Sequence, residues 1–266
     1  MIADDNDAGI RATNDLAIAG NSKVYANCSF IGIYADNSIT ITGTPIMEAI
    51  TQSDIEDYTY GLSARNGKIS IDISDGYILL GGKVGTYYGR TLGSAMTLGD
   101  KNYFNPPTGT ITLGNKTKIA DGLEILDFFS DNTKNEYYAI GKNGELAAKA
   151  IIGVEVAITP TISGKGTVTP NVANLISGQE VSFTITPEQG WKIADVLVNG
   201  ESKGAVTSVA FTAMGNDTIA VTFVLIDTPT NPQTGDDANT GLWLWLMLSA
   251  MLIVAAMLHR RFVNAK

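Results

Sequence analysis

Apolar and polar residues alternate in short runs through the first part of the chain: Leu16 and Ile18, then Ile39 and Ile41, then Ile69, Ile71 and Ile73. Alternation with a period of two, bounded by Gly, Asn and Asp, predicts strands whose alternate side chains fill a core. A related phrase precedes each run: GIRATN from Gly9, GIYADN from Gly32 and GLSARN from Gly61, so that the glycines stand 23 and 29 residues apart. Repetition at such periods predicts stacked units, each one coil of a parallel β-helix. In this register Ile10, Ile33 and Leu62 share an inward column, and Ala12, Ala35 and Ala64 share another. Asn14, Asn37 and Asn66 stack at a corner, where asparagine tolerates left-handed backbone and bonds its own chain. Asp36 faces outward beside Arg65, a predicted surface ion pair worth about 0 to 1 kcal/mol. Val24, Ala26, Cys28 and Phe30 also alternate, which turns Cys28 inward as a small hydrophobe.

From Gly85 to Gly153 the pattern weakens, with strands expected near Thr110–Leu113 and Glu136–Ile140 and a turn at Asn105–Gly109. This stretch is expected to close the end of the solenoid, whose last coil otherwise exposes apolar core and unpaired strand edges. Residues 1–153 are thus read as the first domain. A second pattern begins near Val154: Val181, Phe183 and Ile185, then Val196 and Val198, then Ile219, Val221, Phe223 and Leu225. With Asn199-Gly200 as a hairpin turn, residues 154–225 are expected to form a small antiparallel β domain. After a polar linker at 226–240, Gly241–Leu258 carries no charge. Its length, at about 1.5 Å per residue, just covers a hydrocarbon core of about 30 Å, and a transmembrane helix is predicted there. His259, Arg260 and Arg261 follow in a basic tail, 259–266, which favours the cytoplasmic side, while Trp243 and Trp245 suit the opposite interface. The overall expectation is an all-β chain, a right-handed parallel β-helix followed by a small β domain, ending in one transmembrane helix.

Charge and composition narrow the chemistry. A net charge of −9 supplies no basic face for phosphates, so no nucleic-acid partner is expected. The single cysteine excludes an internal disulfide, and the single histidine, His259, lies beyond the apolar run, which removes histidine-dependent triads and zinc sites from the preceding domains. Two acid clusters, Asp4, Asp5 and Asp7, and Asp54, Glu56 and Asp57, lack the fixed spacing of a calcium loop and read as solvated loops. No cofactor is assigned, with calcium the one metal left open. Arg11, Arg65 and Arg90 are the only arginines before the tail, and no acid, base and metal group converges, so no catalytic residue is named. Gly164-Lys165-Gly166-Thr167 lacks the glycine spacing and following helix of a phosphate loop.

Three resemblances follow from these residues. Asn231-Pro232-Gln233-Thr234-Gly235, then the apolar run, then the basic tail, resembles the sorting signal of Gram-positive cell-wall proteins, usually LPxTG. It implies attack by a sortase cysteine on the Thr234 carbonyl, release of everything from Gly235 onward, and transfer to peptidoglycan from a membrane-inserted precursor. Asn231 stands where leucine is usual and resembles the NPQT start read by another sortase class. GIYADNSITITG resembles right-handed β-helices of bacterial surface proteins, some grouped as carbohydrate-binding, over roughly Ala8–Gly82. Gly166-Thr167-Val168-Thr169-Pro170, Thr186-Pro187, Gly190-Trp191 and Asp195–Gly200 resemble the internalin-type B-repeat, which implies a β-grasp-like stalk or adhesive module, with Trp191 in core or edge packing. Together they imply an extracellular, wall-anchored adhesin that binds polysaccharide or a host surface ligand; a wall-anchored β-helix lyase or hydrolase, a structural stalk and a plain single-pass protein are the alternatives. MIADDNDAG lacks the basic region, apolar core and cleavage site of an export signal, so the chain is expected to be the C-terminal part of a longer protein or to start at a misplaced position.

Overall fold

The computed structural model describes residues 8–51, 59–87, 90–92, 94–98, 109–130, 135–226, 244–251 and 253. The chain is predominantly β. One compact unit runs as far as Val224, and a second begins at Leu225.

Nine short strands open the first unit: β1 (Ala8–Ala12), β2 (Leu16–Ile18), β3 (Lys23–Cys28), β4 (Ile31–Ala35), β5 (Ile39–Gly43), β6 (Ile46–Thr51), β7 (Tyr60–Ala64), β8 (Ile69–Ile73) and β9 (Tyr77–Gly81). Each strand pairs in parallel with the strand three places later, so β1, β4 and β7 make one face, β2, β5 and β8 a second, and β3, β6 and β9 a third. The expected columns are present in this register: Ile10 pairs with Ile33 and Ile33 with Leu62, and Ala12 with Ala35 and Ala35 with Ala64. Ser94–Leu98 adds another rung to the first face, setting Met96 beside Leu62 and Leu98 beside Ala64, and Ile111–Leu113 adds one to the second. Ile33, Ile39, Ile41, Leu62, Ile69, Ile71 and Met96 are wholly buried between the faces.

The corners stack as well. Asn37 N–H donates to the Asn14 carbonyl at 3.2 Å, and Gly67 N–H donates to the Asn37 carbonyl at 3.1 Å. Gly67 absorbs the extra residue in the third repeat, because a Cβ there would meet the Asn37 backbone and the Ser38 hydroxyl. The glycines that open the repeats have a packing cause. A Cβ on Gly32 would lie 2.5 Å from the Gly61 carbonyl and 3.1 Å from the Ala49 Cβ, and one on Gly61 would lie 2.6 Å from the Ala95 carbonyl. Cys28 shares the side of β3 that carries Val24 and Ala26 and is partly buried.

The parallel order ends in antiparallel strands. Asn135–Lys142 pairs antiparallel with Ser94–Leu98, and Glu124–Ser130 with Asn135–Lys142. On the third face, Lys149–Ile158 runs antiparallel to β9, and Thr117–Ile119 antiparallel to it in turn. The same long strand then pairs with Ala173–Ile176. The boundary drawn from the sequence at 153/154 therefore falls inside one continuous strand. Thr161–Ser163, Ile219–Leu225, Trp191–Val198 and Glu201–Ser202 form a four-stranded sheet, and Gly166–Thr169, Glu180–Pro187 and Ser208–Thr212 a three-stranded one. Phe183, Ile185, Val196, Ile219, Val221 and Phe223 fill their common core. Asn199 and Gly200 take positive φ, 53° and 80°, between the paired Val198 and Glu201, as a two-residue hairpin requires. Among the described residues of this module there is no helix, and the two sheets cover one another's apolar sides.

In the second unit, residues 244–251 and 253 are helical and expose Leu244, Trp245, Leu246, Met247, Leu248, Met251 and Ile253. Among the described residues no helix is long and apolar enough to cross a membrane. The span expected over 241–258 is matched by a helix only at these positions, since the rest of it lies outside the described residues.

Candidate functional site

The residues with the most specific sequence pattern, Asn231, Pro232, Gln233, Thr234 and Gly235, lie outside the described residues, as do His259, Arg260 and Arg261 and both acid clusters, Asp4, Asp5, Asp7 and Asp54, Glu56, Asp57. The compact first unit ends at Val224, before that motif begins. Among the described residues no three His, Cys, Asp or Glu side chains come together as a metal site would need.

The outer side of the third face forms a grid fixed by strand register. Its rows are Lys23, Ile46, Tyr77 and Gly153; then Tyr25, Glu48, Leu79 and Ile151; then Asn27, Ile50, Gly81 and Lys149. Alternation puts Met47, Ala49, Ile78, Leu80, Ala150 and Ile152 on the buried side of the same strands. The outward set is uncovered or half-covered except at Gly153, which Ile176 and Ser177 cover, and Tyr25 is 65% exposed. The Tyr77 hydroxyl donates to Glu48 Oε1 at 3.2 Å. Burial, and then the neighbouring Glu48 charge, raise the Tyr77 hydroxyl above its usual range. Gly178 lies against the Tyr77 ring, where a Cβ would come within 2.7 Å. Tyr25 is the phenol ring left open on this side, and Glu48 can accept further hydrogen bonds. Around Glu48 the register places Tyr25, Leu79, Lys23, Asn27, Tyr77 and Gly81, none of them a second carboxylate. The two-carboxylate chemistry of glycoside hydrolysis has no partner here.

A second cluster lies on the outer side of the first face. The Tyr34 hydroxyl donates to Asp36 Oδ1 at 2.8 Å, and the Arg11 guanidinium sits over the Tyr34 ring, 5.5 Å from its centre. Burial, then the bond to Asp36, push the Tyr34 hydroxyl up to about 12, with Arg65 and Arg11 opposing the shift. The structure thus brings Arg11 and Arg65 around one phenol, and gives Asp36 a partner that the sequence reading, which paired it with Arg65, did not name. Ala8, Ile31, Tyr34 and Tyr60 are buried together here, and Phe30 packs edge-on against Tyr60 with ring centres 6.2 Å apart. Arg90 lies in Arg90–Leu92, which pairs with Gly85–Tyr87 in a hairpin separate from this sheet.

Trp191 packs against the core of the second module, as expected for edge packing: a Cβ on Gly164 would stand 2.9 Å from its ring. Gly166 in turn leaves room for the Phe223 ring, so GKGT is a packing device in this fold. A cleft of about 540 Å³ beside Asp121, Glu155 and Gln179 is bridged by the Gln179 amide, which donates to Asp121 Oδ1 at 3.0 Å.

The tyrosine grid was missed from sequence. Tyr25 and Tyr77 are 52 residues apart, and only the pairing of β3 with β6 and β6 with β9 unites them. Comparison with protein-family models, with curated proteins and with solved structures gives no match to this chain.

Proposed function

We propose that the chain is a surface protein of a Gram-positive bacterium, joined by a sortase to peptidoglycan through Thr234, whose outer domains bind carbohydrate or act in adhesion. The observation that carries this reading is the order of Asn231–Gly235, the uncharged run 241–258 and the basic tail 259–266. Proline at 232 fixes the recognition strand, and glycine at 235 leaves the scissile carbonyl open to attack. The apolar run acts as a membrane segment that holds the precursor in the bilayer, with His259, Arg260 and Arg261 on the inner side. The uncovered apolar side chains of the helical residues 244–251 and 253 support this, because lipid solvates such a surface and water does not.

In this reading the three parallel faces form a right-handed parallel β-helix, residues 1–153, and the module at 154–225 is a B-repeat-like spacer or adhesive unit. The stacked register and the wholly buried isoleucine columns support the solenoid. Binding is preferred to hydrolase chemistry because the exposed grid offers Glu48 no second carboxylate. Digestion of the wall is expected to release the mature protein while detergent does not. Recovery in a detergent extract with residues 241–258 still attached would contradict the proposal.

A further inference from the structure

We infer that the strand Ser208–Thr212 is the edge through which two copies of this chain associate, the two strands pairing antiparallel about Ala210 on a two-fold axis. This goes beyond the function proposed above and does not depend on it.

The backbone sets the geometry. Ser208–Thr212 ends its three-stranded sheet and is paired on one side only, with Glu180–Pro187. Just beyond its two ends, in the same register, Ile185 N–H donates to the Thr207 carbonyl at 2.8 Å and Ala213 N–H to the Gln179 carbonyl at 2.9 Å. Successive residues of a strand direct their N–H and C=O groups to opposite sides, so Thr207, Val209, Phe211 and Ala213 address Glu180–Pro187. Ser208, Ala210 and Thr212 address the other side, where among the described residues no backbone hydrogen bond reaches them, and all three are exposed. A copy of this strand laid antiparallel about Ala210 sets Ala210 opposite Ala210 and Ser208 opposite Thr212. Each of these is then a pair that exchanges both N–H···O bonds. One residue of slip would set outward groups against inward ones, so the register is fixed.

The side chains agree with the backbone. Val209 stands opposite Phe211 of the second copy in the pairs without hydrogen bonds, where side chains come closest. Both are half-buried beside a groove of about 410 Å³ that Val198 and Val206 also line. Phe211 stacks on the wholly buried Phe183 with ring centres 6.1 Å apart, so a second copy continues the apolar core across the axis. Charge favours a like partner. In a chain of net charge −9, residues 204–216 carry no charge, and the two charged residues that line the groove, Glu201 and Lys203, pair with each other at 2.8 Å. The opposite edge of the same sheet, Gly166–Thr169, is flanked by Lys165 and Pro170, residues that keep an edge from pairing. Ser208–Thr212 has neither beside it. An edge of five residues is a small contact, and association that is weak and rises with concentration is expected.

The test is sedimentation velocity of the full chain in a density-matched detergent over a wide range of concentration, where a monomer–dimer equilibrium is expected. Ala210→Lys sets two ammonium groups face to face on the axis and should weaken dimerisation at least about tenfold. Its melting temperature at low concentration should be unchanged, because the side chain is exposed. In a Cys28→Ala background, Ala210→Cys should form an intermolecular disulfide under mild oxidation, since axis-related Cα atoms stand about 5.5 Å apart. Thr167→Cys, on the opposite edge of the sheet, should not. A monomer at every concentration would overturn the inference and leave the edge to a strand from a different protein. A dimer that Ala210→Lys does not weaken, or equal cross-linking at the two engineered cysteines, would overturn it by placing the contact elsewhere on the chain.

Discussion

One added carbon at Gly32 has nowhere to go. A Cβ there would stand 2.5 Å from the Gly61 carbonyl, and neither backbone can yield without pulling the coils apart. Gly32→Ala is expected to cost about 1 to 3 kcal/mol, read as a lower midpoint in chemical denaturation of the full chain; an unchanged midpoint would mean that the coils are less closely stacked. The repeat glycines were legible as markers, whereas their cause was not, since it depends on which backbone of the next coil passes behind them. Tyr34 makes a separate prediction. Its hydroxyl is held near 12 in the folded protein against 10 in the free side chain. Below pH 10 both forms are protonated and the shift has no effect. As pH rises from about 10 to about 12 the unfolded chain loses this proton first, so stability falls, by roughly 2 kcal/mol at the upper limit. Phenolate absorbance should show a tyrosine titrating near 12 that is absent in Tyr34→Phe, and the alkaline loss of stability should shrink in that variant.

The strand Lys149–Ile158 does at the element scale what the repeats cannot do for themselves. A parallel stack has no natural end, and this strand covers the open edge of β9 by running antiparallel to it before passing on to Ala173–Ile176. Ser177 secures the transition: it is wholly buried, its hydroxyl donates to the Gly76 carbonyl at 2.5 Å and accepts from Val154 N–H at 2.9 Å. Ser177→Ala would leave a buried carbonyl and a buried N–H without that partner, at an expected cost of about 1 to 3 kcal/mol, measurable as a drop in melting temperature. The alternation of Leu16–Ile18, Ile39–Ile41 and Ile69–Ile73 made the strands and their columns readable, because each run carries its own inside and outside. The edge at 153/154 falls inside a strand for a related reason. The composition changes where Lys149–Ile158 changes partners, while the backbone runs straight through. Tyr25, Glu48 and Tyr77 escaped notice because their meeting is a property of three strands, none of which signals it alone.

At the scale of the whole molecule, everything to Val224 forms one compact unit. The bond from Gly215 N–H to Asp75 Oδ1 at 3.2 Å adds to those of Ser177 in tying the second module to the coils. Calorimetry is expected to show a single cooperative transition for this unit, with calorimetric and van't Hoff enthalpies in agreement; two separated transitions would show that the modules unfold independently. The proposal that the protein is a wall-bound binder stands on the fate of Thr234. Mass spectrometry of the C-terminal peptide from the native protein tests it most directly. The expected peptide ends at Thr234 in amide linkage to a wall-peptide amine; a peptide that continues through Gly235 to Lys266, with no muropeptide attached, would contradict it.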